Sequence, residues 1–304
     1  MELRHLRYFV TVAEELHFGR AAERLFIAQP PLSQQIQQLE RELGVSLLER
    51  TSRRVRLTAA GEAFLPEARQ ILARVESAAL TALRAARGEV GTLSIGFVAS
   101  ATYDVLPDVL RLFRAKYPDV ELLLSELNAA EQAQALRDKT INIGFARPAI
   151  NEVGWAVESV AQEPFVAALP AQHPLAVSRE DVPLAQLATE PFISFPPDPK
   201  PSYADLVQAL CAQAGFVPRV AQEVREMQTA LSLVAAGLGV ALVPASVQNL
   251  RRRGVVYRPL TDASATTELS VVYRADDLSS VLQVFLDVIR NKEAKGENAD
   301  DDAD

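Results

Sequence analysis

The sequence predicts a chain in two parts: a small all-α N-terminal module carrying a hairpin, joined by one long helix to a C-terminal α/β region. Three observations point there. Over the first 87 residues apolar side chains recur at steps of three and four, the period of a helix with one buried face. From Thr92 onward, short apolar runs of the strand type alternate with helical stripes, the pattern of an α/β fold. The charge is also divided. The 304 residues carry a formal net charge of −8. Residues 1–60 nevertheless hold nine Arg and seven Glu, a net of +2, which leaves −10 for the rest. Arg50, Arg53, Arg54 and Arg56 fall within seven residues of one another. That asymmetry marks a small DNA-facing module on an acidic body.

Leu3–Leu16 reads as a helix with Leu6, Phe9, Val10 and Ala13 on one side. The stretch AAERLFIAQPPLSQQIQQLERELG, Ala21–Gly44, reads as two helices with a bend. Ala21, Ala22, Leu25 and Phe26 share a face of the first, and Leu32, Ile36, Leu39 and Leu43 a face of the second. Pro30 and Pro31 each lack an N–H and crowd the preceding turn, so they fit only in the first turn of a new helix. LLERTSRRVRLT, Leu47–Thr58, alternates at Val55, Arg56 and Leu57 and reads as a small basic hairpin or wing. Three helices and a basic wing make residues 1–58 a winged helix-turn-helix candidate. The second helix of the bend is polar but mostly uncharged opposite its apolar stripe, at Ser33, Gln34, Gln37 and Gln38. A solvated face more often carries Lys and Glu. Gln can present a donor and an acceptor together to adenine, and Ser can serve either base edge. Taken alone, the arginines would be an ordinary solvated wing; beside this helix pair they point to DNA.

Thr58 can cap the next helix with its hydroxyl. That helix, residues 59–87, carries Phe64, Ala68, Ile71, Leu72, Val75, Ala79, Ala82, Leu83 and Ala86 at helical spacing. At 1.5 Å per residue it would span roughly 45 Å. No globular partner lies nearby in sequence, so a second copy is the expected partner, against the alternative of packing within its own chain. Pro66 should kink it or loosen its first turns. Gly88 and Gly91 end it.

The remaining elements follow in order. TLSIGFVAS (92–100) is a strand, Tyr103–Tyr117 a helix, VELLLSEL (120–127) a strand, Ala129–Lys139 a helix and NIGFA (142–146) a strand. Later come FISF (192–195), the helix Ser202–Ala214, VAQEV (220–224), the helix Met227–Ala236 and VALVP (240–244). VVYRPL (255–260), ELSVVYR (268–274) and the helix Ser279–Asn291 complete the set. Mainly parallel sheets are expected, over enough residues for two small lobes. The acidic tail, residues 292–304, is expected to be disordered and solvated.

Composition narrows the function classes. Cys211 is the sole cysteine, which excludes a disulfide within the chain and suits a reducing compartment. Charges at Glu2, Arg4 and Arg7 argue against an export signal, and no run approaches the roughly 18 apolar residues of a membrane span. The reading is a soluble cytoplasmic protein with no membrane association. An enzyme finds little support: His5, His17 and His173 are scattered, and Cys211 lies in an amphipathic helix. There is no nucleophile elbow, phosphate loop or zinc-type spacing. Gly237–Gly239 follows a helix rather than a strand and is no dinucleotide fingerprint. No metal and no cofactor are expected.

The residues from Met1 to Arg50, followed by RRVRLTAAGEAFL, resemble the LysR-type transcriptional regulators. The likeness covers almost the whole chain, is densest over residues 1–65 and recurs at LVAAGLGVALVPAS, Leu233–Ser246. IAQPPLS, GFVAS and PKPSY are similar to the subgroup that controls breakdown of aromatic compounds, including muconate-responsive regulators of benzoate and catechol degradation. The resemblance implies a winged helix-turn-helix, a dimerising linker helix and a two-lobed effector domain shaped like a periplasmic binding protein. That domain would span 88–291, with lobe I at about 88–161 and 266–291 and lobe II at about 162–265. The chain would cross between lobes near Gln162 and Thr266. The resemblance also implies tetramers built from dimers, binding to promoter DNA, work with RNA polymerase and activation of degradation genes. A periplasmic solute receptor would share the effector fold but would need an export signal and lack the first 87 residues. Gln29, Pro30, Ser33 and Gln34 match the family's DNA-contacting positions, with Gln37 on the same face. Arg50, Arg53 and Arg54 match those reaching the backbone and minor groove. Many relatives carry Arg at the place of Gln34, so no operator can be carried over.

For the effector, the strand end at Val98–Ser100 runs into a helix whose free N–H groups and dipole favour an anion, and Ser100 adds a hydroxyl. PKPSY, Pro199–Tyr203, opens another helix, where Ser202 and Tyr203 offer a hydroxyl and an N–H. Two anion sites facing across a cleft suit a small dicarboxylate. The resemblance implies that Ser100, Pro201 and Tyr203 line the site. Tyr203 stands where a Phe is common, and Ala129, beside Asn128, stands where relatives have a Thr ligand. Arg147, ending NIGFAR, is the candidate fixed charge, or else one half of a salt bridge. Gln228 and Thr229 could border the cleft. The expected effector is a small carboxylate, either a muconate-like diacid or an aromatic acid.

Overall fold

The computed structural model describes residues 1–50, 54–178, 180–261 and 265–300, the last eight as backbone alone. The chain divides into two compact units, Met1–Arg84 and Ala85–Asp304.

The first unit holds α1 (Leu3–Glu15), α2 (Phe18–Arg24), α3 (Gln29–Leu43), β1 (Leu48–Arg50), β2 (Val55–Leu57) and the start of α4 (Ala59–Ala86). The predicted stripes form its core: Leu6 and Phe9 of α1 and Leu32, Ile36 and Leu39 of α3 are buried together. Burying each such side chain contributes about 1.5–3 kcal/mol. Pro30 and Pro31 lie in the first turn of α3, where no N–H bond is lost. Gly44 closes α3 in the left-handed region at φ 72°. β1 and β2 pair antiparallel, with Arg50 opposite Val55.

Thr58 caps α4 as predicted. Its Oγ1 accepts from the Gly61 N–H at 2.9 Å and donates to the Ser46 carbonyl at 2.7 Å. Two expectations for α4 are corrected. The helix runs unbroken through Pro66, which removes only one rung of its ladder. Its first half does have a partner in its own chain. Phe64, Leu65, Ala68 and Leu72 pack on the N-terminal core, with the Phe9 and Phe64 rings 5.4 Å apart. Beyond them Ile71, Val75, Leu80 and Leu83 are exposed.

The second unit begins with β3 (Gly91–Phe97), a 3-10 turn (Ala99–Tyr103), α5 (Val105–Lys116), β4 (Val120–Glu126), α6 (Ala129–Arg137) and β5 (Ile143–Ala146). Then come β6 (Trp155–Pro170), α7 (Pro174–Val177), β7 (Pro191–Ser194), α8 (Tyr203–Gln213), β8 (Arg219–Glu223) and α9 (Met227–Ala235). It ends with β9 (Ala241–Pro244), a 3-10 segment (Ala245–Leu250), β10 (Val255–Pro259), β11 (Thr266–Arg274) and α10 (Ser280–Asp300). The main sheet has the order β10-β6-β11-β5-β3-β4, with β9 also on β6, and β7–β8 form a separate parallel pair. β3 runs parallel to β4 and β5, whereas β11 runs antiparallel to both β5 and β6. The sheet is therefore mixed rather than mainly parallel. β11 is antiparallel to β5, and β6, a 16-residue strand that the sequence pattern does not announce, adds antiparallel pairings with β9, β10 and β11.

β6 builds both lobes. From Trp155 to Pro164 it pairs with β11, and from Phe165 to Pro170 with β9 and β10. The crossing falls at Pro164–Phe165, two residues beyond the expected Gln162, and the return falls at Ala265–Thr266. A bond of 2.7 Å from the Phe165 N–H to the Ala265 carbonyl ties the two passages. One lobe packs around Ile95, Phe113, Phe145 and Phe285, the other around Phe192, Leu242 and Cys211 on one side of its sheet and Val243 and Leu231 on the other. α10 continues to Asp300, past the helix end expected at Asn291 and into the tail, residues 292–304, expected to be disordered. Residues 292–300 are rich in Lys, Glu and Ala, which favour helix; residues 301–304 lie outside the described residues. No helix among the described residues is long and apolar enough to cross a membrane.

Candidate functional site

In the first unit, the outward face of α3 presents Gln29, Pro30, Gln34 and Gln37, all exposed, with Ser33 half-buried among them. Gln35, on the inner side, accepts at Oε1 from buried His5 Nε2 at 2.8 Å, while His5 Nδ1 accepts from the Glu2 N–H, and the contact braces α3 against α1. Arg54 is exposed just before β2. Arg53 lies outside the described residues. Arg50 departs from the expectation that it reaches outward. Its Nη2 donates to Glu40 Oε2 at 2.6 Å, its guanidinium lies 5.0 Å over the Phe18 ring, and its Nη1 donates to Ser33 Oγ at 3.4 Å. The other Glu40 oxygen accepts from the Leu47 and Leu48 N–H groups at 2.9 and 3.1 Å. The charge of Arg50 is thus matched inside the module.

In the second unit, a cleft of about 580 Å³ is lined by all six predicted residues: Ser100, Ala129, Arg147, Pro201, Ser202 and Tyr203. Their roles differ from the expectations. Ser100 sits in the short 3-10 turn, and α5 begins only at Val105, so no helix dipole stands behind it. The Ser202 hydroxyl is used up as the cap of α8, accepting from the Ala204 N–H at 3.2 Å and donating to the Pro196 carbonyl at 2.5 Å. The Tyr203 hydroxyl donates to the Leu242 carbonyl at 3.3 Å, and its ring stands edge-on to Phe195. Burial pushes the Tyr203 phenol far up, so it stays neutral. Tyr203 therefore offers the cleft a ring rather than a hydroxyl. Ala129 opens α6 behind its cap Asn128, whose N–H and side chain are both taken up by Glu131.

Arg147 is the cleft's buried cation, 4% exposed. Its Nη2 donates to Glu163 Oε1 at 2.6 Å, and Glu163 also accepts from the Ser246 N–H at 2.6 Å and Oγ at 3.1 Å. The salt-bridge alternative is therefore realised, but only on one nitrogen. Nε and Nη1 of Arg147 are buried and have no hydrogen-bond partner among the described residues.

Several cleft residues were missed. Glu126, Asp198, Arg225 and Glu226 form an exposed rim, and Phe195 and Met227 add apolar surface. Tyr103 feels two of these acids. Burial pushes its phenol up to about 12, and the charges of Glu126 and Glu226 add to that. Glu226 could have been found as the residue before the helix at Met227; Gln228 and Thr229 are not among the lining residues. Glu163 carries no sequence signal, because the burial of its strand β6 changes pattern midway. Cys211 is buried in the core, and burial pushes its thiol up to about 11.

Comparison with known proteins follows this division. The family description "LysR substrate binding domain" matches residues 86–294, and "bacterial regulatory helix-turn-helix protein, lysR family" matches residues 3–62. The transcriptional regulator AlsR of Bacillus subtilis is 43% identical over 301 residues, covering 99% of each chain. Full-length CbnR, solved in complex with its target DNA, superposes with a TM-score of 0.86 at 35% identity, covering 96% of this chain and 99% of that one. The effector binding domain of BenM, solved with its effector benzoate, gives a TM-score of 0.62 at 33% identity over 68% of this chain and 94% of that one. The helix-turn-helix module, the long helix and the two-lobed domain match over nearly the full length, and the chain belongs to the LysR family of DNA-binding transcriptional regulators, which are not enzymes.

Proposed function

We propose that this regulator activates genes for degradation of aromatic compounds in response to a small carboxylate held in the cleft at Arg147. One observation carries the reading: a buried guanidinium lines the cleft with two nitrogens that have no partner among the described residues. A buried donor without a partner is costly, and a carboxylate would satisfy it with strong charged hydrogen bonds. The first residues of α6, α8 and α9 also line the cleft, so three positive helix ends add to the attraction for an anion. The relative BenM, solved with benzoate, supports the ligand class. The resemblance to the aromatic-catabolism subgroup supports activation, with RNA polymerase as partner. The rim favours an aromatic monoacid over a diacid, because Glu126, Asp198 and Glu226 outnumber Arg225 there. A second carboxylate would meet like charge. Arg147 joins Glu163 on the crossing strand and, through it, Ser246 of the other lobe, which gives a bound acid a route to both lobes. Promoter DNA would meet Gln29, Pro30, Ser33, Gln34 and Gln37, with Arg53 and Arg54 on the backbone. α4 would pair two chains, and dimers would pair into tetramers.

Calorimetry of the full-length protein with benzoate and with cis,cis-muconate tests this. Benzoate should bind more tightly. Ser100→Ala should lose about 1–2 kcal/mol, roughly tenfold, and Arg147→Ala more than that. Carboxylate binding indifferent to both substitutions would overturn the reading.

A further inference from the structure

We propose that Arg50 is a positioning residue that fixes the Ser33 hydroxyl as a hydrogen-bond donor toward DNA, so that the base read by Ser33 must present an acceptor. The inference rests on the reading that the outer face of α3 meets the major groove.

The chemistry follows from the inventory of the two groups. A guanidinium has donors only, whereas a serine hydroxyl has one hydrogen and two lone pairs. The contact from Arg50 Nη1 to Ser33 Oγ at 3.4 Å must therefore use a serine lone pair. The hydroxyl hydrogen is left over. Serines and threonines inside helices often place it on the carbonyl one turn back, as Thr11 does on Arg7 and Ser232 on Gln228. Ser33 donates no hydrogen bond of that kind among the described residues. Its hydrogen is available to a partner outside the chain, on the half-exposed side of α3 beside Gln29, Gln34 and Gln37.

The guanidinium is well held for this task. Glu40 anchors Nη2 at 2.6 Å, and the Phe18 ring supports its plane. Glu40 is itself fixed by the N–H groups of Leu47 and Leu48 at the start of the wing. The Arg50 side chain is 26% exposed and that of Glu40 13%. Arg50 thus acts on DNA through Ser33, not by reaching a phosphate itself. A lysine could keep the ion pair with Glu40, but its single ammonium cannot hold Glu40 and Ser33 in the same planar fork.

In the major groove an acceptor stands at guanine O6 and thymine O4, and the transition partners adenine and cytosine put an amino donor at the same places. The test is gel shift on the DNA upstream of the gene, with a panel of single transitions across the footprint. The base pair read by Ser33 is the one whose preference vanishes in Ser33→Ala. At that pair the wild-type protein should favour the acceptor base by about tenfold. Arg50→Lys should keep its melting midpoint and bring the preference below about twofold. Ser33→Ala combined with Arg50→Lys should show no further loss. Arg50→Gln, which removes the charge, should leave the salt dependence of binding unchanged, whereas loss of a phosphate contact would reduce the slope by about one. An undiminished preference in Arg50→Lys, or a flattened slope in Arg50→Gln, overturns the proposal. If Ser33→Ala alone changes no base preference, the reading of α3 as the DNA face falls first.

Discussion

Gly61 shows how closely single residues are specified in the first unit. A Cβ at this position would lie 2.1 Å from the Leu47 carbonyl oxygen, which is backbone and cannot step aside cheaply. Gly61→Ala should therefore destabilise the module by about 1–3 kcal/mol, read as a lower midpoint in thermal or urea unfolding. An unchanged midpoint would mean that the wing shifts freely. Glu158 gives a pH-dependent case. It accepts from Arg290 Nε at 2.9 Å, from Arg290 Nη2 at 2.6 Å and from the Tyr273 hydroxyl at 2.5 Å. These bonds, Arg290 first, hold its carboxyl below the ordinary 4.5. A carboxylate with a depressed folded-state value stabilises above its unfolded value, and that contribution is lost as pH falls through the folded one. Wild type should melt above Glu158→Gln at pH 7, and the gap should close as pH drops below 4.5. A gap constant with pH would rule out the ionic account. At this scale the sequence revealed which residues line the cleft better than what they do. Ser202 and Tyr203 were legible as the opening of a helix. Their hydroxyls are turned to Pro196 and Leu242, partners far enough along the chain that no local pattern announces them.

Elements were legible where one face alone is buried. α3 reads off its stripe because Leu32, Ile36 and Leu39 are inside while Gln34 and Gln37 are outside. β6 was not legible, because it belongs to two sheets in turn. Its first ten residues are mostly half-buried, and the next five are wholly buried. Pro164, normally evidence against a strand, sits where it changes partners. α4 has a similar duality. Its spacing of three and four is continuous, yet Phe64, Ala68 and Leu72 face the chain's own core while Ile71, Val75, Leu80 and Leu83 do not. The first set supports the helix-turn-helix, and only the second is available to a partner chain. If α4 pairs two chains as proposed, Ile71→Glu or Val75→Glu should therefore lower the mass of the assembly in light scattering while leaving the fold of the first unit intact. An unchanged mass for both would contradict pairing through this face. Ala68→Glu should unfold the module itself, since it buries an unpaired charge.

At the scale of the whole molecule, one chain combines a DNA-reading unit with a cleft built from two lobes. Arg147, Glu163 and Ser246 tie the cleft to both lobes, so the proposed ligand on Arg147 would act on the pair that joins them. The ligand can shift DNA binding only through a difference in its affinity for two states of the chain. The central claim is that Arg147 converts occupancy of the cleft into a change on DNA. It is tested most directly by footprinting the upstream DNA with and without benzoate, for wild type and for Arg147→Ala. The account predicts that both proteins give the same footprint without benzoate, since the first unit is untouched, and that benzoate changes it for wild type alone. A variant that responds to benzoate as wild type does, or a wild-type footprint that no concentration of benzoate alters, would contradict it.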